Sequence, residues 1–185
     1  MKKLIASLAT ALLVVFFMAS CSKTTEVTVE NFKSQANNLV DKKVTITGVA
    51  NHICSHSGRK LFLVSPNGGE EMVTVFTNKD MKPFDKETIG KTYTVNGIVK
   101  ITQVIDEEYL NKWEDEVNDQ INAGNAVEEE GHCGTENKAA GIEVEEGRDD
   151  NPQLLQIKAF RKKLDENNGE PIIFYHIECN SFEIK

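Results

Sequence analysis

Two segments of this chain follow one pattern. Lys42-Lys43-Val44-Thr45-Ile46-Thr47-Gly48-Val49 and Lys91-Thr92-Tyr93-Thr94-Val95-Asn96-Gly97-Ile98 both alternate apolar and polar side chains and then reach a glycine. Alternation with period two is the signature of a strand buried on one face only. At Gly48 the large apolar residues change parity, from Val44 and Ile46 before it to Val49 and Ile53 after it. A one-residue bulge at the glycine produces such a flip. A strand bent there serves two sides of a small barrel. The expectation is therefore a closed β structure with bends or bulges at both Gly48 and Gly97.

The remaining pattern is consistent with that expectation. Thr28 is placed to cap a helix over Val29 to Val40, with Glu30 near its positive end. Strands are predicted over Lys43–Cys54, Leu61–Val64, Met72–Thr77, Thr92–Val104 and Ile172–Ile184, with the turn cluster Ser65-Pro66-Asn67-Gly68-Gly69 between the second and third. Asp106 to Ala123 reads as a helix through Tyr109, Leu110, Trp113, Val117 and Ile121. Gly124 to Asn151 is acidic and poor in large apolar groups, which predicts a loop. Pro152 starts another helix, which Asn167-Asn168-Gly169 ends. Residues 105–169 thus form a helical and acidic insertion before a last strand that needs a sheet to join. The fold class expected is mainly β (α+β), a five-stranded barrel with a helical insertion before its closing strand.

The N-terminus reads as a leader. Lys2 and Lys3 precede an apolar run, Leu4 to Met18, that is too short and wrongly flanked to span a bilayer. Met18-Ala19-Ser20-Cys21 resembles the lipobox of bacterial lipoproteins. That resemblance implies removal of residues 1–20, acylation of Cys21 and a tether over residues 21–27. Ser22 after the cysteine implies outer-membrane sorting, facing the periplasm or the surface. The membrane, through the lipid anchor, is then one partner.

Charge is uneven. The net charge of −8 becomes −10 once Lys2 and Lys3 are removed. Between Ile105 and Asp150 there are 16 acidic residues against Lys112, Lys138 and Arg148. The rest of the domain is close to neutral, with no strong footprint for nucleic acid. With Cys21 acylated, Cys54, Cys133 and Cys179 remain. Three is odd, so at least one thiol is unpaired. Sequence leaves Cys54–Cys133, Cys54–Cys179 and no bond all open.

The chemically distinctive run is His52-Ile53-Cys54-Ser55-His56. Imidazole and thiolate are ligands for zinc and copper, and thiolate is also a redox group. With a bulge at Gly48, Ile53 faces the core and His52, Cys54 and His56 face outward. Alternate strand residues lie about 7 Å apart, so His52 and His56 would be about 13 Å apart in an extended chain. One ion with ligands at about 2.0–2.3 Å takes two neighbours easily and three only if the chain turns near Ser55. His132 and Cys133, set between Gly131 and Gly134 in the acidic loop, are candidates for a further ligand. His176 and Cys179 fall on opposite faces of the last strand, with Cys179 expected as a buried thiol. Arg59-Lys60 reads as a solvated turn more readily than as an anion site.

The helix, bent strand, hairpin, third strand and bent fourth strand resemble an oligonucleotide/oligosaccharide-binding (OB) barrel. Gly48-Val49 with His52-x-Cys54-x-His56-Ser57-Gly58-Arg59-Lys60 resembles small bacterial lipoproteins with such a barrel, related to anticodon-binding-like OB domains. Fold does not give function. No phosphate loop, G-x-S-x-G elbow or H-E-x-x-H is present, and no complete catalytic constellation is visible. Three readings follow. One is a non-enzymatic envelope module binding zinc or copper through His52, Cys54 and His56, with His132 and Cys133. The second is an OB module for saccharide, peptide or oligonucleotide without metal. The third is a thiol-redox protein using Cys54.

Overall fold

The computed structural model describes residues 24–55, 57–124, 135, 138, 141–144 and 151–185. Cys21, His56, His132 and Cys133 lie outside the described residues. The elements are β1 (Thr25–Val27), α1 (Val29–Leu39), β2 (Lys43–Ile53), β3 (Lys60–Val64), β4 (Met72–Thr77), a 3-10 turn (Lys86–Thr88), β5 (Thr92–Ile105), α2 (Glu107–Asn122), α3 (Pro152–Glu166) and β6 (Ile172–Ile184). Among the described residues no helix is long and apolar enough to cross a membrane.

Strand pairing closes a ring in the order β2–β3–β4–β6–β5 and back to β2. Four of the five pairings are antiparallel, and β4–β6 is parallel. This is a five-stranded OB barrel, with α2 and α3 inserted between its fourth and fifth strands. Thr25–Val27, the last part of the segment expected as a tether, instead forms a strand parallel to β2, Thr25 opposite Val44 and Val27 opposite Ile46. Val27 is buried there, so burial draws this end of the tether onto the sheet.

The barrel interior is filled by the alternate residues of each strand: Val44 and Ile46, Leu61 and Leu63, Val73 and Val75, Tyr93 and Val95, Ile177 and Cys179. α1 adds Val29, Phe32, Ala36 and Leu39 to the same core. Burying a side chain the size of Phe32 stabilises by about 1.5–3 kcal/mol. Thr28 Oγ1 accepts from the Asn31 amide at 3.3 Å and caps α1. Glu30 in the first turn has its pKa lowered, first by a hydrogen bond from Ser65.

Gly48 does not carry the bulge. β2 pairs with β5 without a break from Lys43 to Val49, and the register shift lies between Ala50 and His52. Gly48 and Ala50 stay on the core face. A Cβ on Gly48 would lie 2.9 Å from Leu63 Cβ and 3.0 Å from the Val64 carbonyl. The position is a gap left for β3, and the extra residue is Asn51, three residues later; the parity signal comes early because neither Gly48 nor Ala50 counts as a large apolar residue. β2 does serve two sides, with β5 over its first half and β3 over its second. Gly97 meets its expectation, since the β5–β6 register shifts between Asn96 and Gly97, where Asn180 of β6 is the extra residue.

The insertion has its own core of Ile105, Leu110, Val117, Ile142, Ile157, Phe160 and Leu164, against which Ile172 and Phe174 pack. Ile105 and β6 belong to the barrel strands, so the helices are built on an extension of the β5–β6 ribbon rather than forming a separate domain. Asp106 caps α2 through the Tyr109 amide at 2.8 Å, and Asn151 caps α3 through the Gln153 amide at 2.8 Å. Arg161 of α3 ties the pair together, reaching Glu107 at 2.9 Å, Asn111 at 2.7 Å and Glu114 at 2.8 Å.

Candidate binding face

Because the core takes every second residue, the other half of β3, β4 and β6 faces outward. Cross-strand register lines these residues up. One row runs His52, Phe62, Thr74, His176 and Lys100. The next runs Lys60, Phe76, Glu178 and Ile98. The shift between Ala50 and His52 is what turns His52 onto this face and returns Ile53 to the core.

The rings touch one another. His52 lies 5.6 Å from Phe62, ring centre to ring centre. Phe76 stacks on His176 at 4.3 Å, with 28° between the planes. Lys60 Nζ sits over the other part of this stack, 5.3 Å from the Phe76 centroid, which is cation–π distance. Phe62 is fully buried although it faces away from the barrel core, while His52, Lys60 and Phe76 are half-buried. Aromatic rings partly open beside a cation suit the flat faces of a ligand.

His176 is the buried polar group of this face. Its Nδ1 is 2.7 Å from Thr102 Oγ1. Burial pushes its pKa below the usual imidazole value, Glu178 opposes that, and Lys100 and Lys60 add to it. The ring is therefore held neutral near pH 7, with Phe76 on its flat side.

The turn between β2 and β3 borders the face and is tightly braced. Cys54 donates its amide to the Lys60 carbonyl at 2.9 Å, and its own carbonyl accepts from Gly58 at 2.9 Å. Gly58 has φ +65°, and a Cβ there would lie 3.0 Å from Pro83 Cβ. Arg59 is exposed, as expected, but it is also anchored. Its guanidinium reaches Thr77 Oγ1 at 3.2 Å and the carbonyls of Asn78 and Met81 at 3.4 Å each, which holds the 77–81 turn. Lys86 Nζ donates to the Ser55 carbonyl at 3.1 Å.

The candidate ligands distribute as follows. His52 and Cys54 flank the core residue Ile53, and both are half-buried. Cys179 lies in the barrel core, and it forms no disulfide with Cys54. Burial raises the Cys179 thiol to about 11. Among the described residues, no three His, Cys, Asp or Glu side chains come together as a metal would need. Sequence reading missed the Lys60–Phe76–His176 column. Its signal was the outward parity of Phe76 and His176 on strands that pair, and that pairing is non-local.

No family model and no curated protein matches the chain. Among solved structures, it is similar to a chain of the S. pombe Stn1-ten1 complex, at 13% identity and a TM-score of 0.32, over 55% of this chain and 95% of that one. It is also similar to the telomere capping protein Ten1 from Saccharomyces pombe, at 14% identity and a TM-score of 0.30, over 54% of this chain and 99% of that one. The fold stands on the strand pairings themselves, which are those of an OB barrel.

Proposed function

We propose that this chain is a non-enzymatic binding module of the bacterial envelope, held at the outer membrane by lipid on Cys21, and that it takes an extended ligand on the outer face of β3 and β4. One observation carries the binding reading. Half-buried Phe76 meets both Lys60 and His176, with His52 on Phe62 beside it. The Cys54–Arg59 turn leads directly into Lys60 of this group, and the insertion lies between β5 and β6 in the chain. In OB barrels this face and these two loops bind oligosaccharides and oligonucleotides. Without residues 1–20 the net charge is −10, carried mainly by residues 105–150, and the rest of the domain has no strong basic footprint, so saccharide is the first choice and peptide and oligonucleotide follow. The lipid anchor is supported by the leader and the Met18-Ala19-Ser20-Cys21 run.

The test is a direct binding panel of envelope-type oligosaccharides, peptides and single-stranded oligonucleotides against wild type, Phe76→Ala and Lys60→Ala. A ligand held here loses at least about 2 kcal/mol of affinity in Phe76→Ala if the ring is an anchor. Failure of all three classes to bind, or binding indifferent to both substitutions, overturns the reading. Mass spectrometry of the native protein checks Cys21, and an unmodified thiol there removes the anchor.

A second reading is zinc or copper at the same turn. The residue types and the one-residue spacing of His52 and Cys54 are its support; it requires a further ligand from His56, His132 or Cys133, and it predicts that metal stabilises the fold by about 2.7 kcal/mol at a hundred times its dissociation constant. Thermal unfolding of wild type and Cys54→Ser, with and without each ion under reducing conditions, decides it. An equal response in both proteins removes the site.

A further inference from the structure

The β5–β6 ribbon continues past the barrel, and among the described residues no strand pairs with its outer edge. β2 pairs with β5 only as far as Ile98, and Val99 completes the contact through Asp41 and Lys42. From Lys100 to Ile105, β5 is paired on one side by β6, and no described strand lies on the other. These six residues span about 20 Å. Ile101 is 43% exposed and Val104 40% exposed, and Thr102 between them is exposed too. Edges that stay monomeric usually carry a lysine, a proline or an inward charge. On this edge the one lysine, Lys100, is drawn to Asp41 at 2.7 Å, and Ile101-Thr102-Gln103-Val104-Ile105 adds no charge or proline.

A second register shift lies between Ile101 and Gln103, with Thr102 as the extra residue. Thr102 is pinned there by its contact with His176 at 2.7 Å. One extra residue between them brings Ile101 and Val104 to the same side of the ribbon. The open edge also has unlike ends. At one end β2 enters with Lys42 and Lys43, both exposed, while Lys100 is matched by Asp41 at 2.7 Å. At the other end α2 begins with Asp106, Glu107 and Glu108; Arg161 engages Glu107, and Glu108 is exposed.

We infer that this edge is an interface for a second copy of the chain, paired antiparallel across a two-fold axis between Thr102 and Gln103. In that register Ile101 faces the partner's Val104, and Val104 faces the partner's Ile101. The Lys42–Lys43 end of each copy meets the partner's Glu108 end. Apolar positions match apolar ones and charges oppose, which is the self-complementarity that a two-fold interface requires. The two barrels join into a sheet continuous across the pair, and the β3–β4 face of each remains open. The inference is independent of the ligand proposed for that face.

The test is sedimentation equilibrium of the chain from Cys21 onward with Cys21→Ser, which contains every described element. The mass rises from one chain to two with protein concentration, and added salt moves the transition to higher concentration. Ile101→Lys and Val104→Lys stay monomeric, and far-UV circular dichroism and thermal midpoints show that they are folded. Lys42→Glu and Glu108→Lys each weaken association by about tenfold, because each change occurs twice across the axis. Mixing these two variants restores association, since each then supplies the charge that the other lacks. A mass of one chain at every concentration overturns the inference. So does a dimer that survives both lysine substitutions, or a mixture no stronger than its components.

Discussion

Gly97→Ala measures how tightly the barrel closes. Gly97 sits opposite Val44 on β2 and Cys179 on β6, where three strands crowd together. A methyl group there would press into the Glu178 carbonyl and lie 2.5 Å from Ile177 Cγ2 and 3.1 Å from the Glu178 carbonyl carbon. Two of these three atoms are backbone and cannot rotate away. Overpacking a core costs about 1–3 kcal/mol, and rigid neighbours put this case at about 3. Lower entropy of the unfolded alanine chain offsets about 0.5–1 kcal/mol. The net loss is about 2–2.5 kcal/mol, a fall in Tm of about 4–10 °C for a domain of this size. Gly90→Ala is the reference. Its φ is +86° and nothing lies within 4 Å, so only backbone strain of about 1–2 kcal/mol opposes the same entropy gain. Urea unfolding of both variants, with unchanged m values, gives the comparison directly. If Gly97→Ala is no less stable than Gly90→Ala, the close approach of β6 to β5 is not as described and the barrel reading fails.

Arg161→Ala should loosen the α2–α3 pair while sparing the barrel, seen as faster amide exchange in the helices than in β2–β4. The Glu114 carboxyl is held below its ordinary value of 4.5, first by its hydrogen bond from Arg161. Its stabilisation is therefore present above the unfolded pKa and is lost as pH falls through the lower folded one, and in Arg161→Ala that part of the acid sensitivity should vanish. His176 titrates below its ordinary 6.5, chiefly through burial. Its proton is bound more readily by the unfolded chain, so stability should fall as pH drops from about 6.5 toward the folded value; His176→Gln should flatten that slope, and an unchanged slope would count against the buried neutral ring. Site-resolved alkylation should label half-buried Cys54 in the native protein and Cys179, raised to about 11, only after unfolding. Equal native rates at the two thiols would contradict the core position of Cys179.

Local chemistry was enough to read most of the elements. Period-two alternation marks β2, β4 and β5, and capping chemistry at Thr28, Asp106 and Asn151–Pro152 sets the helix starts within a residue or two. These signals depend on neighbours along the chain, so one sequence carries them. The barrel and its inserted helices were legible for the same reason, because the strand after the helices has to join a sheet. Tertiary contacts decided the rest. Whether Gly48 is a bulge or a gap depends on Leu63 and Val29, which approach it from other elements. What Arg59 holds in place depends on carbonyls at residues 78 and 81. Thr25–Val27 is too short to announce itself as a strand and becomes one only because β2 offers an edge. The outward parity of His52 was readable, but its partners were not. Phe62, Phe76, His176 and Lys60 come from three strands, and cross-strand register alone brings them into one face.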